Sequence, residues 1–126
     1  MTTVAIRGAT SISVDTETEL DLAVPELINA MMENNGVTPN EVISILFTGT
    51  PDIVSKFPAT SLRGMGFSDT PLICAQEMDV VDAHPLIVRV LMHVDLPGTL
   101  KELKEQIKHQ YLREASKLRP DISPAK

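Results

Sequence analysis

The chain has no tryptophan, one tyrosine and three phenylalanines. So few rings leave no surface on which successive bases could stack, and a single-strand nucleic-acid platform is not expected. Basic residues are also in deficit, eleven against seventeen acidic ones for a net charge of −6. A broad phosphate-binding face needs the opposite balance, so nucleic acid is excluded as a partner. The single cysteine, Cys74, cannot close an internal disulfide, and no second cysteine exists to start a structural zinc site. No apolar run reaches the roughly 18 residues of a membrane span. The amino terminus, MTTVAIRGATS, lacks the basic region, apolar block and small-residue cleavage site of a secretory signal, so the expected location is cytoplasmic.

What is present is 126 residues with 43% hydrophobic content, enough for one core. No internal repeat or linker divides the chain, and residues 1–126 read as a single domain whose tail, DISPAK after about residue 120, is expected to be loose. TVAIRGAT reads as a first strand ended by Gly8, with Val4 and Ile6 on one face and Ala5 and Arg7 on the other. DTETELDLAVPELINAMMENNG reads as a helix with a Thr16/Glu19 capping box and an apolar stripe of Leu20, Val24, Leu27, Ile28 and Met31. Pro25 predicts a kink there, or a helix that starts near Asp21.

EVISILFTG and TPLICAQ read as buried strands, and a short helix is expected after Pro58, ended by Gly64 and Gly66. EMDVVDAHP is a loop, LIVRVLMHV the longest strand, and PGTLKELKEQIKHQYLREASKLRP a closing amphipathic helix with Leu100, Leu103, Ile107 and Tyr111 on one stripe. The order β-α-β-α-β-β-α predicts an α/β (α+β layer) fold: a mixed four- to five-stranded sheet with helices on one face. Strands as uniformly apolar as VISILF and LIVRVLMHV predict burial on both faces, hence an oligomer that closes the second one.

Arg89 stands in the middle of LIVRVLMHV. Alternation places it with Ile87, Leu91 and His93, where an unpaired guanidinium costs several kcal/mol. It either forms an internal ion pair with an acid such as Glu77 or meets an anionic ligand. Arg7 is open in the same way, as a solvated strand-end cation or as a ligand contact beside Gly8. Glu77 is a surface carboxylate at a loop entrance or a partner of these arginines. By strand parity Cys74 and Glu77 face opposite ways, unless the strand ends or bulges near Gln76. Cys74 has no neighbouring helix start or histidine to activate it and reads as a core thiol. His84, His93 and His109 fit no metal-ligand spacing, no G-x-S-x-G elbow nominates a nucleophilic serine, and Gly64 and Gly66 are too little for a phosphate loop. Neither a metal nor a cofactor is expected.

The ordered set IRGAT (Ile6 to Thr10), TPD (Thr50 to Asp52), FPA (Phe57 to Ala59), Arg63, QEMDV (Gln76 to Val80), IVRV (Ile87 to Val90), YL at Tyr111 and LRPD (Leu118 to Asp121) resembles one family. These pieces are similar to the monofunctional chorismate mutases of the trimeric, pseudo-α/β-barrel class. The resemblance runs over essentially the whole chain, and it implies an enzyme that rearranges chorismate to prephenate in phenylalanine and tyrosine biosynthesis. The reaction is an intramolecular [3,3] shift that needs no nucleophile and no metal.

The resemblance further implies that Arg89 is the cation at the ether oxygen and Glu77 the holder of the ring hydroxyl, with Cys74 and Gln76 beside it. Arg7 would bind a substrate carboxylate, helped by Tyr111. Phe57, Ala59, Ile73 and Ala75 would line the pocket, while Arg63, Leu118 and Arg119 would close its rim. Sites would be shared between subunits of a homotrimer, with Phe57 to Arg63 facing the site of the adjacent chain. The sequence departs from the family pattern at Ile73, where threonine is familiar, at Ala75, where methionine is, and in a longer stretch between Val94 and Tyr111. Fold analogy leaves two other readings: a trimer that hydrolyses reactive imines, and a non-catalytic trimer that binds a small carboxylate.

Overall fold

A computed structural model describes residues 1–121. The expectation of a loose tail falls, beyond Pro120 and Asp121, outside the described residues. The chain runs through β1 (Thr2–Ser11), α1 (Glu17–Glu33), β2 (Val42–Gly49), a 3-10 turn at Pro58–Leu62, β3 (Leu72–Gln76) and β4 (Ile87–Leu96). It closes with α2 (Leu100–Gln106), β5 (Gln110–Tyr111) and a further 3-10 turn at Arg113–Lys117. One five-stranded sheet has the order β3-β2-β4-β1-β5. Strand β4 is antiparallel to both β1 and β2, whereas β3 and β5 add to the edges in parallel, so the sheet is mixed as expected.

Helix α1 starts where the sequence marks it. The Thr16 hydroxyl accepts the Glu19 N–H at 3.1 Å, and two glutamates in the first turn complement the positive helix end. The start at Glu17 replaces the alternative near Asp21, and the helix passes Pro25 uninterrupted to Glu33. The capping box is only half formed, because the Glu19 carboxylate turns to the backbone N–H and hydroxyl of Ser13. Leu20, Val24, Leu27, Ile28 and Met31 are all fully buried against the sheet face carrying Val4, Ile6, Phe47, Val88, Met92 and Val94.

Further expectations are corrected. Gly8 does not end β1: the strand continues to Ser11, held by the register pairs down to Ser11 and Ile87. What approaches the bare backbone of Gly8 is the helix, since a Cβ there would lie 2.5 Å from Met31 Sδ and 3.1 Å from Leu27 Cδ1. The closing helix is also much shorter than its apolar stripe suggests. It stops at Gln106 because Asn35, past the end of α1, captures Lys108: Asn35 Oδ1 accepts the Lys108 N–H at 2.7 Å and Nδ2 donates to its carbonyl at 2.9 Å. Gln110 and Tyr111 then pair with Gly8 and Ala9, so Tyr111 stands on a strand rather than on a helix, and Leu100 is exposed.

The third correction concerns the second face of the sheet, which the chain itself covers in part. Ala9, Ile87, Tyr111 and Ala115 form a small buried cluster with Leu118 packed against it, because the Arg113–Lys117 turn folds over that end. The rest of this face is only half-buried in the single chain, and the paired Leu46 and Ile73 are exposed. The short helix expected after Pro58 is a 3-10 turn, and Gly64 and Gly66 beyond it have φ of 80° and 94°, in the left-handed region that favours glycine.

Candidate active site

Alternation along β4 sends Val88, Val90, Met92 and Val94 under the helix and leaves Arg89, Leu91 and His93 on the helix-free face. Ala9 flanks Arg89 on one side and Thr48 on the other. By the same parity Arg7 lies on this face, opposite Leu91. Strand β5 adds Tyr111 beside Ala9, and the segment after the last turn brings back Arg119. The result is a cleft of about 270 Å³ bounded by Arg7, Thr48, Glu77, Arg89, Tyr111 and Arg119. Its lining carries three guanidinium groups against one carboxylate, and the Asp121 carboxylate paired to Arg119 still leaves one cation in excess, so it is an anion site by charge count.

Glu77 reaches the cleft from just beyond β3. Its backbone N–H donates to the Gly49 carbonyl at 2.8 Å, continuing the ladder one step past the strand. Its Oε1 accepts from the Thr48 hydroxyl at 2.7 Å and lies 3.7 Å from Arg89 Nε. That separation is an ion pair without a hydrogen bond. Arg89 Nε is itself buried and has no hydrogen-bond partner, although the side chain as a whole is 42% exposed. The exposure therefore belongs to other atoms of the side chain, and the inner donor is the part that is orphaned. Of the two readings left open by the sequence, the ion pair with Glu77 is present but leaves a guanidinium donor unsatisfied.

Arg119 is held by Asp121 through a two-pronged pair, Nε to Oδ1 at 3.1 Å and Nη2 to Oδ2 at 2.9 Å. That partner keeps the guanidinium firmly protonated and holds the Asp121 carboxyl below the usual carboxylate range. The backbone N–H of Arg7 donates to His109 Nδ1 at 2.9 Å. Burial, then the charges of Arg7 and Arg119, push the His109 pKa down.

The remaining residues named from the sequence stand elsewhere in the single chain. Cys74 pairs in register with the buried Phe47 and packs on the core, and burial pushes its thiol up. With Phe57, Ala75 and Gln76 it lines a separate cleft of about 450 Å³. Cys74 and Glu77 thus lie apart, as regular strand parity requires. Ala59 and Arg63 border another hollow around Leu62 and Phe67, Ile73 is exposed on the helix-free face, and Leu118 supports Tyr111 from the small cluster. Phe57 is 69% exposed, a large apolar side chain offered to solvent at the β3 edge of the molecule. Sequence reasoning missed Thr48, His109 and Asp121 as neighbours of these groups. Only the strand register, which a sequence does not carry, aligns Thr48 with Arg89.

Among the described residues no group of three or more His, Cys, Asp or Glu is arranged to hold a metal ion, and no helix is long and apolar enough to cross a membrane. Comparison with known proteins gives a consistent result. The family model described as "Chorismate mutase type I" matches residues 3–122. The chain is 38% identical over 124 residues to chorismate mutase AroH of Bacillus subtilis (strain 168), covering 96% of this chain and 93% of that protein. It is 37% identical over 123 residues to chorismate mutase AroH of Thermus thermophilus, covering 95% and 96%. A solved chorismate mutase from Clostridium thermocellum superposes with a TM-score of 0.83 at 40% identity, over 90% of this chain and 97% of that one.

Proposed function

The chain belongs to the chorismate mutase type I family, and from that premise we propose how its cleft performs the reaction. The protein is a chorismate mutase, an isomerase whose substrate is chorismate and whose product is prephenate. Neither the imine-hydrolysing reading nor the carboxylate-sensor reading accounts for that family membership.

Chorismate is a dianion. As its ether carbon–oxygen bond stretches, negative charge gathers on the ether oxygen, and a fixed cation there favours the transition state over the ground state. Arg89 is the cation: its orphaned, buried Nε donor is the observation that carries this assignment. Its net attraction to Glu77 is small because the pair is partly solvated, so the guanidinium stays available to the substrate. Glu77, braced by Thr48, accepts from the ring hydroxyl and fixes the ring. Arg7 binds a carboxylate with help from Tyr111, and Arg119 exchanges the Asp121 carboxylate for the substrate at the rim. All the bond changes lie within the substrate, so the protein contributes positioning and electrostatics.

The working form in this proposal is a homotrimer with sites at subunit interfaces. The cleft of about 270 Å³ is at the small end for a ligand site. Phe57, Ala59, Arg63, Ile73, Cys74, Ala75 and Gln76 lie apart from it, and Phe57 and Ile73 are open to solvent. A neighbouring subunit that seats its β3 edge over the arginines of the next would bring the two half-sites together and cover these side chains. A cytoplasmic setting fits the single free cysteine. The experiment is to follow the loss of chorismate's ultraviolet absorbance with purified protein and identify the product, while sizing the protein by sedimentation. Rapid, metal-independent formation of prephenate by a trimer is the expected outcome. Equal activity in a form shown to be monomeric would overturn the shared site.

A further inference from the structure

The β1–β5 ladder begins at the register pair Gly8 and Gln110, so the N–H of Arg7, one residue earlier, would be left without a strand partner. The side chain of His109 takes that place, its Nδ1 accepting the Arg7 N–H at 2.9 Å. An accepting Nδ1 carries no proton, so the ring is neutral with its hydrogen on Nε2. We infer that His109 is a positioning residue for the rearrangement: its neutral ring fixes the backbone of Arg7 and locks the strand bearing Tyr111 to it.

Two further contacts make this lock specific. The next residue, Gln110, is 2% exposed and receives Asn34 Nδ2 from the end of α1 at 2.9 Å, while Asn35 grips Lys108 on the other side. The Lys108 backbone and the Gln110 side chain are thus anchored at the end of α1, and while the Gln110 backbone pairs with Gly8, it is the side chain of His109 that reaches across to β1. Without it Arg7 has a free N–H, and its side chain hangs from a strand edge with one restraint fewer. A guanidinium that must meet a carboxylate within a few tenths of an ångström is sensitive to such a loss, since a misplacement of about 1 Å can cost about 100-fold in rate.

Protonation would break the contact. The charged groups facing the ring are Arg7 from β1 and Arg119 from the chain after the last 3-10 turn, with Asp121 beyond them paired to Arg119. Both arginines repel a proton on His109, as does its burial, so the ring stays neutral down to lower pH than a free imidazole. Below that point the Nδ1 acceptor is lost and the Arg7 N–H is left without its partner, while β4 alone holds this part of β1.

The inference rests on Arg7 as a substrate contact, so the test includes Arg7→Ala. His109→Ala is expected to lower kcat/KM by about 10- to 100-fold. His109→Asn, whose Oδ1 can stand where Nδ1 stood, should restore it to within about threefold of the parent. In an Arg7→Ala background, His109→Ala should cost little more, because the group it positions is gone. The parent should lose kcat/KM as pH falls below the ordinary imidazole range, and His109→Asn should lack that limb; substrate titration cancels in the comparison. An impaired Arg7→Ala beside a fully active, folded His109→Ala would overturn the inference alone. So would fully multiplicative losses in the double variant. A fully active Arg7→Ala would instead remove the assignment of Arg7 itself. Should His109→Ala fail to fold, the pH profile of His109→Asn decides: an unchanged acid limb refutes the lock.

Discussion

Glu77 Oε1 lies 3.7 Å from Arg89 Nε while accepting the Thr48 hydroxyl at 2.7 Å. The carboxylate is therefore steered by a neutral neighbour and only balanced by the arginine. In the proposed mechanism this arrangement lets the two charges act on different atoms of one substrate instead of neutralising each other. A tight two-pronged pair would have to be broken before catalysis, at a cost of several kcal/mol in a dry site.

Removing the Glu77 carboxylate tests that division. Glu77→Ala is expected to lower kcat by about 100-fold, since the ring hydroxyl loses its acceptor and the ring its orientation. Thr48→Val leaves the charge and removes only the brace, so it should cost about tenfold or less. Initial rates of chorismate consumption by both variants check this ordering, and a reversed order would contradict it.

Cys74 should be dispensable for the chemical step. It packs towards the core opposite Phe47, and burial disfavours its thiolate, so at neutral pH it is a poorer nucleophile than a free cysteine. Cys74→Ala is expected to keep kcat within about threefold of the parent, and alkylation by iodoacetamide should be slow. Complete loss of turnover in a folded Cys74→Ala protein would point to a covalent step that the rearrangement does not need.

Gly8 should matter for stability. A Cβ at this position would stand 2.5 Å from Met31 Sδ and 3.1 Å from Leu27 Cδ1, both on fully buried side chains. Gly8→Ala is expected to destabilise the fold by about 1–3 kcal/mol, measured by urea denaturation, through overpacking between β1 and α1. No loss of stability would mean that the end of the Met31 side chain can swing aside at little cost.

Much of this molecule was legible in its sequence because the signals were local. Thr16 as a cap, the apolar stripe from Leu20 to Met31 and the alternation through Arg89 are all fixed within a few residues, and all three appear in the structure. Gly8 misled because a glycine late in a strand reads as a stop, whereas this one yields space to a side chain 23 positions further along the chain, at Met31. Tyr111 misled because its helical spacing from Leu103 and Ile107 was overridden by hydrogen bonds from Asn34 and Asn35, which no window around Tyr111 contains. The charged site was legible as a set of residue types. Its internal order, with Thr48 on Glu77 and His109 on Arg7, depends on strand register and had no local signal.

The measurement closest to the central claim is the turnover of Arg89→Ala on chorismate, taken with its sedimentation and circular dichroism alongside the parent. If the orphaned guanidinium is the group that meets the developing charge on the ether oxygen, kcat should fall by at least about 100- to 1,000-fold while the assembly and secondary structure persist. Turnover within about threefold of the parent in a folded Arg89→Ala protein would contradict the account and leave the cleft as a place where anions bind but chemistry does not occur.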